Sequence, residues 1–181
     1  YITSNGINQS DSHMMKNIEW GAVAYLKQSN YGLGITDITI NSNGSYYTGG
    51  GSGTSYKKNT GQSTSGNITG VYDMSGGVYE YVMGNYNKQA GSSGLTVSGI
   101  PAEHIDIYSG TSVVASHLGD ALGETAGWYS DYASFVCSSS PWFERGGCYY
   151  DEDDTGVFGY YRDTGGYNYN GGFRVVLSVT K

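Results

Sequence analysis

The stretch TGVYDMSGGVYEYVMGNY, Thr69 to Tyr86, decides the architecture. It opens on a turn, passes a compact corner at Gly76 and Gly77, and then alternates Val78, Glu80 and Val82 with Tyr79, Tyr81 and Met83. A period of two is the signature of a strand with one face on a core and one face away from it. Upstream, NIEWGAVAYLKQS, Asn17 to Ser29, changes to the helical period, and Ile18, Ala22, Tyr25, Leu26 and Ser29 predict the packed face. Asn17 is placed to cap this helix, Glu19 complements its N-terminal dipole, and Gly32 is placed to end it. Between the two, 30–66 reads as a loop-rich insert in which GITDITI alone alternates like a strand, and the Gly/Ser/Thr run near 48–54 predicts a flexible surface loop. Downstream, PAEHIDIY predicts a short helical turn, and Tyr132 to Val136, GVFGYY and GFRVVLSV predict further short strands. One leading helix, many short strands and long loops make an α+β chain, not an alternating βαβ one. At 181 residues with no fixed-period repeat, it fits a single domain, 1–181, with its scaffold over about 1–140.

The remaining segment, about 141–177, has an unusual composition. In PWFERGGCYYDEDDTGVFGYYRDTGGYNYNGGFRVVL, Pro141 to Leu177, tyrosines, glycines and acids crowd between the anchors WF, RGG, GVF and GFRVVL. Tyrosine offers a large rigid contact at low entropy cost, while Gly, Ser and Asn adapt and hydrogen-bond, which is the composition of a paratope. Six tyrosines fall here (149, 150, 160, 161, 167 and 169), and on so short a glycine-rich stretch they cannot all be core, since each buried hydroxyl needs a partner.

Charge and cysteine narrow the function classes. A net charge of −7 with scattered Lys and Arg argues against nucleic acid, which needs a basic patch. No run approaches the ~20 apolar residues of a membrane helix. Low charge with abundant Tyr, Ser, Asn and Gly suits a secreted or surface-displayed protein. The start at Tyr1 without methionine or signal region suggests a trimmed ectodomain, attached to any membrane only through an anchor outside this chain. Ten residues separate Cys137 from Cys148; they either close a short disulfide loop or remain two thiols, and cysteine count does not decide between these.

Several motifs carry a family resemblance. VYDMSGGVYEYVMG is similar to the GLYDMSGNVWEWV signature of the formylglycine-generating enzyme (sulfatase-modifying factor) superfamily. NIEWGAVAYLKQS fits the helix that opens that domain, and FERGG and GFRVVL fit the elements that close it. The resemblance covers most of the chain, with 33–66 and 87–116 poorly matched. It implies a C-type-lectin-like fold: short twisted antiparallel sheets, one main N-terminal helix and long loops. A closer resemblance joins MMKNIEWGAVAYL, NITGVYDMSGGVYEYVMGNYN, GETAGWYSDYA and WFERGG…GVF…GFRVVL to the variable proteins of bacterial diversity-generating retroelements. In these, error-prone copying at template adenines turns asparagine codons into Tyr, Asp, Gly, Ser, Cys, Arg or His codons. The mixture over 148–171 is what such a process leaves. Glu152 is not reachable from an asparagine codon by adenine changes alone, which makes it a fixed residue or the product of a lysine codon.

The resemblance implies a non-enzymatic ligand-binding protein on a bacterial or phage surface, with a protein or glycan ligand and no cofactor. The predicted contact face comprises Cys148, Tyr150, Glu152, Asp154, Gly159, Tyr161, Asp163, Tyr167 and Tyr169, with Tyr149, Asp153, Arg162 and Asn168 next. Glu144, Asp151, Glu152, Asp153, Asp154 and Asp163 outnumber Arg145, Arg162 and Arg174, so a basic patch on the partner is favoured. The competing readings are a degenerate formylglycine-generating oxidase and a fixed adhesin or pilus-like subunit. Against the oxidase, the family's copper-holding cysteine pair after the RGG element is missing, since Cys137 precedes Arg145-Gly146-Gly147. His13, His104 and His117 stand isolated, without the H-x3-H-x-E spacing of the related iron enzymes, so no metal is expected. Asp151 to Gly156 begins like a calcium loop, but Arg162 stands where the bidentate Glu is needed. Asp73 and Glu80 read as structural, Arg145 and Arg174 as braces on backbone carbonyls, and Trp20, Trp128 and Trp142 as filling the core or walling it, with Phe173 and Trp142 beneath the exposed tyrosines.

Overall fold

In the computed structural model, residues 10–49 and 55–179 are described. The opening residues before Ser10 and most of the Gly/Ser/Thr run near 48–54 lie outside them. The elements are β1 (Ser10–Met14), α1 (Asn17–Gln28), β2 (Tyr79–Tyr86), β3 (Asp106–Tyr108), β4 (Trp142–Arg145), β5 (Tyr160–Asp163), β6 (Gly171–Phe173) and β7 (Val175–Val179), with single 3₁₀ turns between them. The chain is α+β.

β2 organises the main sheet, whose order is β3-β2-β4-β5 with β6 also on β2. β4 runs antiparallel to β2 and pairs Glu80 with Arg145 and Val82 with Phe143. β3 and β6 run parallel to β2, opposite Gly84–Tyr86 and Tyr79–Tyr81 respectively. The sheet is therefore mixed, not the antiparallel arrangement expected. β1 and β7 form a separate antiparallel pair, from Ser10 opposite Val179 to Met14 opposite Val175. The alternation read in β2 holds: Glu80 and Val82 are buried while Tyr79, Tyr81 and Met83 are only partly covered.

The helix lies where expected but turns another face inward. Asn17, Trp20, Gly21, Ala24 and Lys27 are buried, whereas Ala22 and Leu26 face solvent. Two contacts set this rotation. The Trp20 indole donates to the Val157 carbonyl at 2.7 Å, and Gly21 lies so close to the backbone at Gly119 and Asp120 that a Cβ would fall 2.1 Å from the Gly119 oxygen. Lys16, not Asn17, is the N-cap; Glu19 reaches back to accept its N–H at 2.9 Å. Asn17 is freed for the core, where its carbonyl oxygen accepts from Arg145 at 3.0 Å.

Other expectations are corrected. GITDITI forms no strand, and the bridge from Asn41 to Gly76 falls just after it; Tyr132 to Val136 contributes only a bridge from Ala133 to Tyr160. GFRVVLSV divides at Arg174 into β6 and β7. Of the tryptophans, Trp20 and Trp142 are buried, while Trp128, 41 % exposed and edge-on to the buried Phe158, walls the core. Phe173 is 63 % exposed, not beneath the tyrosines. It flanks an apolar trough of about 220 Å³ with Met14, Met83, Leu95, Ile100 and Trp142. Cys137 and Cys148 are both free.

Candidate functional site

β4 leads into the acidic loop and β5 leads out, and a buried guanidinium fixes both ends. Arg145 donates from Nε to the Gly159 carbonyl at 3.1 Å, from Nη1 to Asp120 O at 3.1 Å and Asn17 Oδ1 at 3.0 Å, and from Nη2 to Ala121 O at 3.0 Å. Full burial brings its pKa down to about 10, and it still carries its charge at neutral pH. Gly146 and Gly147 then turn the chain with φ of 81° and 70°, a region open to glycine at little cost. The Asp151 carboxylate accepts the Cys148 N–H at 2.9 Å and Thr155 Oγ1 donates to the Cys148 carbonyl at 3.2 Å, which closes the loop on itself. Its tip, the 3₁₀ turn Glu152–Asp154, carries three solvent-facing acids.

The corner before β2 is tied to this turn, Gly76 N donating to the Gly146 carbonyl at 2.9 Å and Tyr149 N to the Gly77 carbonyl at 3.0 Å, and it has braces of its own. Asp73 Oδ1 accepts from Asn41 Nδ2 at 2.9 Å and from Gly49 N at 3.2 Å. Arg174 donates to the Asp73 carbonyl at 2.7 Å and pairs with the buried Glu80. Both acids are thus engaged in structure, and both arginines brace backbone carbonyls, as the sequence suggested.

Across this frame the tyrosines form a continuous ribbon. Tyr132 stacks on Tyr161 with centroids 4.8 Å apart, and Tyr161 meets Tyr79 edge-on at 5.1 Å. Tyr79 meets Tyr150 at 6.5 Å, Tyr150 meets Tyr149 at 5.0 Å, and Tyr149 meets Tyr46 at 5.7 Å. Tyr169 lies close enough to Tyr46 to influence the ionisation of its phenol. The rings are held by polar contacts. Asn170 Nδ2 donates to the Tyr150 hydroxyl at 2.8 Å, and the Tyr161 hydroxyl donates to the Asp154 carbonyl at 3.0 Å. Burial, with the carboxylates nearby, pushes the Tyr79 and Tyr161 phenols up, so both remain protonated donors.

The thirteen expected contact residues divide by exposure. Tyr150, Glu152, Asp153, Asp154, Arg162, Tyr167 and Tyr169 face solvent, and Tyr167 is 96 % exposed. Tyr149, Tyr161, Asp163 and Asn168 are half-buried; Asp163 accepts from the Tyr81 hydroxyl and from Gly165 N. Cys148 and Gly159 are corrections. Cys148 is fully buried, with Asn170 Nδ2 3.2 Å from its sulfur, and Gly159 is buried with its carbonyl committed to Arg145. No ring contact among the described residues joins Tyr167 to the ribbon.

Tyr46, Tyr79 and Tyr132 were not read from the sequence as part of this face. The β2 alternation carried a signal for Tyr79, which must point away from the side that buries Glu80 and Val82. Tyr46 and Tyr132 arrive through long-range loop packing, for which the sequence has no period. The structure also joins two histidines read as isolated: His13 and His104 stack with centroids 4.7 Å apart.

The cleft bordered by Asn41, Tyr46, Asp73, Glu80 and Arg174 holds about 180 Å³, below the roughly 300–1,000 Å³ usual for small-molecule sites. Among the described residues no helix is long and apolar enough to cross a membrane. In comparisons with known proteins, no family model matches the chain and no curated protein matches it.

Proposed function

We propose that the chain is a non-enzymatic ligand-binding protein with a C-type-lectin-like fold of the formylglycine-generating type. It is displayed on a bacterial or phage surface and presents a C-terminal face diversified in the manner of a retroelement variable protein. The observation that carries the reading is the ribbon of Tyr132, Tyr161, Tyr79, Tyr150, Tyr149 and Tyr46 beside the acidic tip Glu152–Asp154. Aromatic rings packed edge to edge and pinned by hydrogen bonds lose little freedom on contact, which favours affinity through pre-organisation. Tyrosine is also enriched at interface hot spots. The acids at the rim favour a protein or glycan ligand bearing a basic patch, through encounter rate and selectivity. Cys148 supports a role without redox chemistry: burial raises its pKa, so the sulfur is a thiol at neutral pH and is occupied by Asn170.

The experiment is affinity capture from bacterial and host surface extracts, comparing wild type with a folded Tyr150→Ser/Tyr167→Ser/Tyr169→Ser variant. A ligand retained by wild type and lost by the variant supports the reading. Equal capture by both places binding elsewhere. Conversion of a sulfatase-type cysteine peptide to formylglycine with copper and oxygen, seen by mass spectrometry, would overturn the non-enzymatic assignment.

A further inference from the structure

A separate cluster is assembled from β1, α1 and the turn before β3. Asp11 and His13 are two residues apart on β1, where strand alternation sends both side chains to one side. His104 ends the 3₁₀ turn Ala102–His104 and reaches the same point from 93 residues downstream. Asp11 Oδ2 is the shared atom, 2.7 Å from His13 Nδ1 and 2.9 Å from His104 Nε2. The other nitrogen of His13, Nε2, lies 2.8 Å from Glu19 Oε1, and the second oxygen of Glu19 is fixed by the Lys16 N–H at 2.9 Å.

We propose that Asp11 Oδ2, His13 Nδ1 and His104 Nε2 are the protein ligands of a divalent transition-metal site, best matched to zinc, with Glu19 as a positioning residue. Without a metal His13 donates from both ring nitrogens, Nδ1 to Asp11 and Nε2 to Glu19; a cation that displaces the Nδ1 proton leaves Nε2–H on Glu19 and frees the Nδ1 lone pair toward the point shared with Asp11 and His104. A carboxylate behind a ligating imidazole is the usual way a protein fixes that tautomer. With one lone pair from each of three side chains, a cation at the centre satisfies all of them at once. The three donor atoms already lie within 4.8 Å of one another. Bonds of about 2.0–2.1 Å require ligand atoms roughly 3.4 Å apart, so a tilt of the two stacked rings and a small outward shift of Asp11 complete the geometry.

The donor set selects the ion. Two imidazoles and one carboxylate suit zinc, cobalt, nickel or copper and do not suit calcium or magnesium, which prefer oxygen alone. The side chains of His13, His104 and Asp11 are 8 %, 23 % and 30 % exposed, so one side stays open for a water as fourth ligand. Such an ion would staple β1, and with it the β1–β7 pair, to the segment leading into β3. This proposal is independent of the tyrosine face.

The test is zinc titration of the tag-free chain by calorimetry, with cobalt as a spectroscopic probe. One ion per chain is expected, bound at least tenfold more weakly by His104→Ala and Asp11→Asn, and unchanged in His117→Ala, whose ring stacks on Tyr108 instead. Glu19→Gln should weaken binding about 10–100-fold. In the zinc-loaded protein it should also shift the ¹⁵N resonance of His13 Nε2, the nitrogen whose proton Glu19 holds, which a merely structural role would not do. Because the ligand variants could unfold, histidine ring ¹⁵N spectra of wild type give a second readout. Zinc should move His13 Nδ1 and His104 Nε2 together and leave His117 in place. No stoichiometric binding, or binding that leaves both of those nitrogens unmoved, overturns the site.

Discussion

Arg145 Nε donates to the Gly159 carbonyl at 3.1 Å, so the strand that enters the acidic loop also holds the residue at which the loop returns. Three of the other four guanidinium hydrogens go to Asn17, Asp120 and Ala121, which ties this loop to the helix and to the 120–121 backbone. Removing this buried charge leaves four acceptors without their donor, at about 1–3 kcal/mol each. Arg145→Met should therefore cost at least about 3 kcal/mol in chemical denaturation even though its volume is similar. A loss below about 1 kcal/mol would show that the loop is held by other means.

The corner before β2 should be equally intolerant. Gly76 has φ of 79°, and a Cβ there would lie 2.6 Å from the Asn41 oxygen. Asp73 supplies acceptors to Asn41 and Gly49. Gly76→Val and Asp73→Ala should each lower the melting temperature by several degrees, at roughly 2–4 °C per kcal/mol for a domain of this size. Wild-type melting in both would remove the structural reading of the motif and reopen a catalytic one.

Neighbouring tyrosines should behave in opposite ways. Tyr160 is fully buried among Phe135, Phe143 and Arg145, whereas Tyr167 and Tyr169 are 96 % and 69 % exposed. Tyr167→Ser and Tyr169→Ser should each change stability by less than about 0.5 kcal/mol. Tyr160→Ser should cost about 3 kcal/mol or more, the range for loss of a buried aromatic side chain. Equal effects at the three positions would deny any division between scaffold and display.

Stability should fall as pH rises through neutrality. Burial lifts Glu144 from an ordinary 4.5 to about 8, with Asp163 adding repulsion, and lifts Asp131 from 3.8 to about 7. The folded protein thus keeps protons that the unfolded chain has already released. Their stabilisation is fully present below about pH 4 and is lost as pH climbs through 7 and 8, at about 1.4 kcal/mol per pH unit for each group inside its window. Denaturation midpoints should be higher at pH 5.5 than at pH 8.5, and Glu144→Gln should flatten the difference. A midpoint that rises with pH would contradict the burial of these carboxylates.

The elements legible in the sequence were those set by local periodicity. The alternation of Val78, Glu80 and Val82 gave the orientation of β2, and the N-terminal helix was placed to within a residue. The helix face was misread because Trp20 and Gly21 are chosen by contacts with Val157 and Gly119, remote in sequence. β1 went unread, since Ser10–Met14 becomes a strand only through its partner β7. In the candidate site, the tyrosines and acids of 149–169 were visible as composition. Which of them reach the surface depends on Arg145 and Asn170, whose partners lie on distant segments. The same limit hid Tyr46 and Tyr132, brought to the face by loops, and the meeting of His104 with His13.

The most direct test of a diversified binding face is the sequence of codons 141–177 in independent isolates of the gene, read beside its neighbouring DNA. The account predicts an adenine-bearing template repeat next to a reverse transcriptase. It also predicts amino-acid differences concentrated at Tyr149, Tyr150, Tyr161, Asp163, Tyr167 and Tyr169, with Trp142, Phe143, Arg145, Val157 and Tyr160 constant. Differences spread evenly along the segment, or falling on Phe143, Arg145 and Tyr160 while the exposed tyrosines stay fixed, would contradict it.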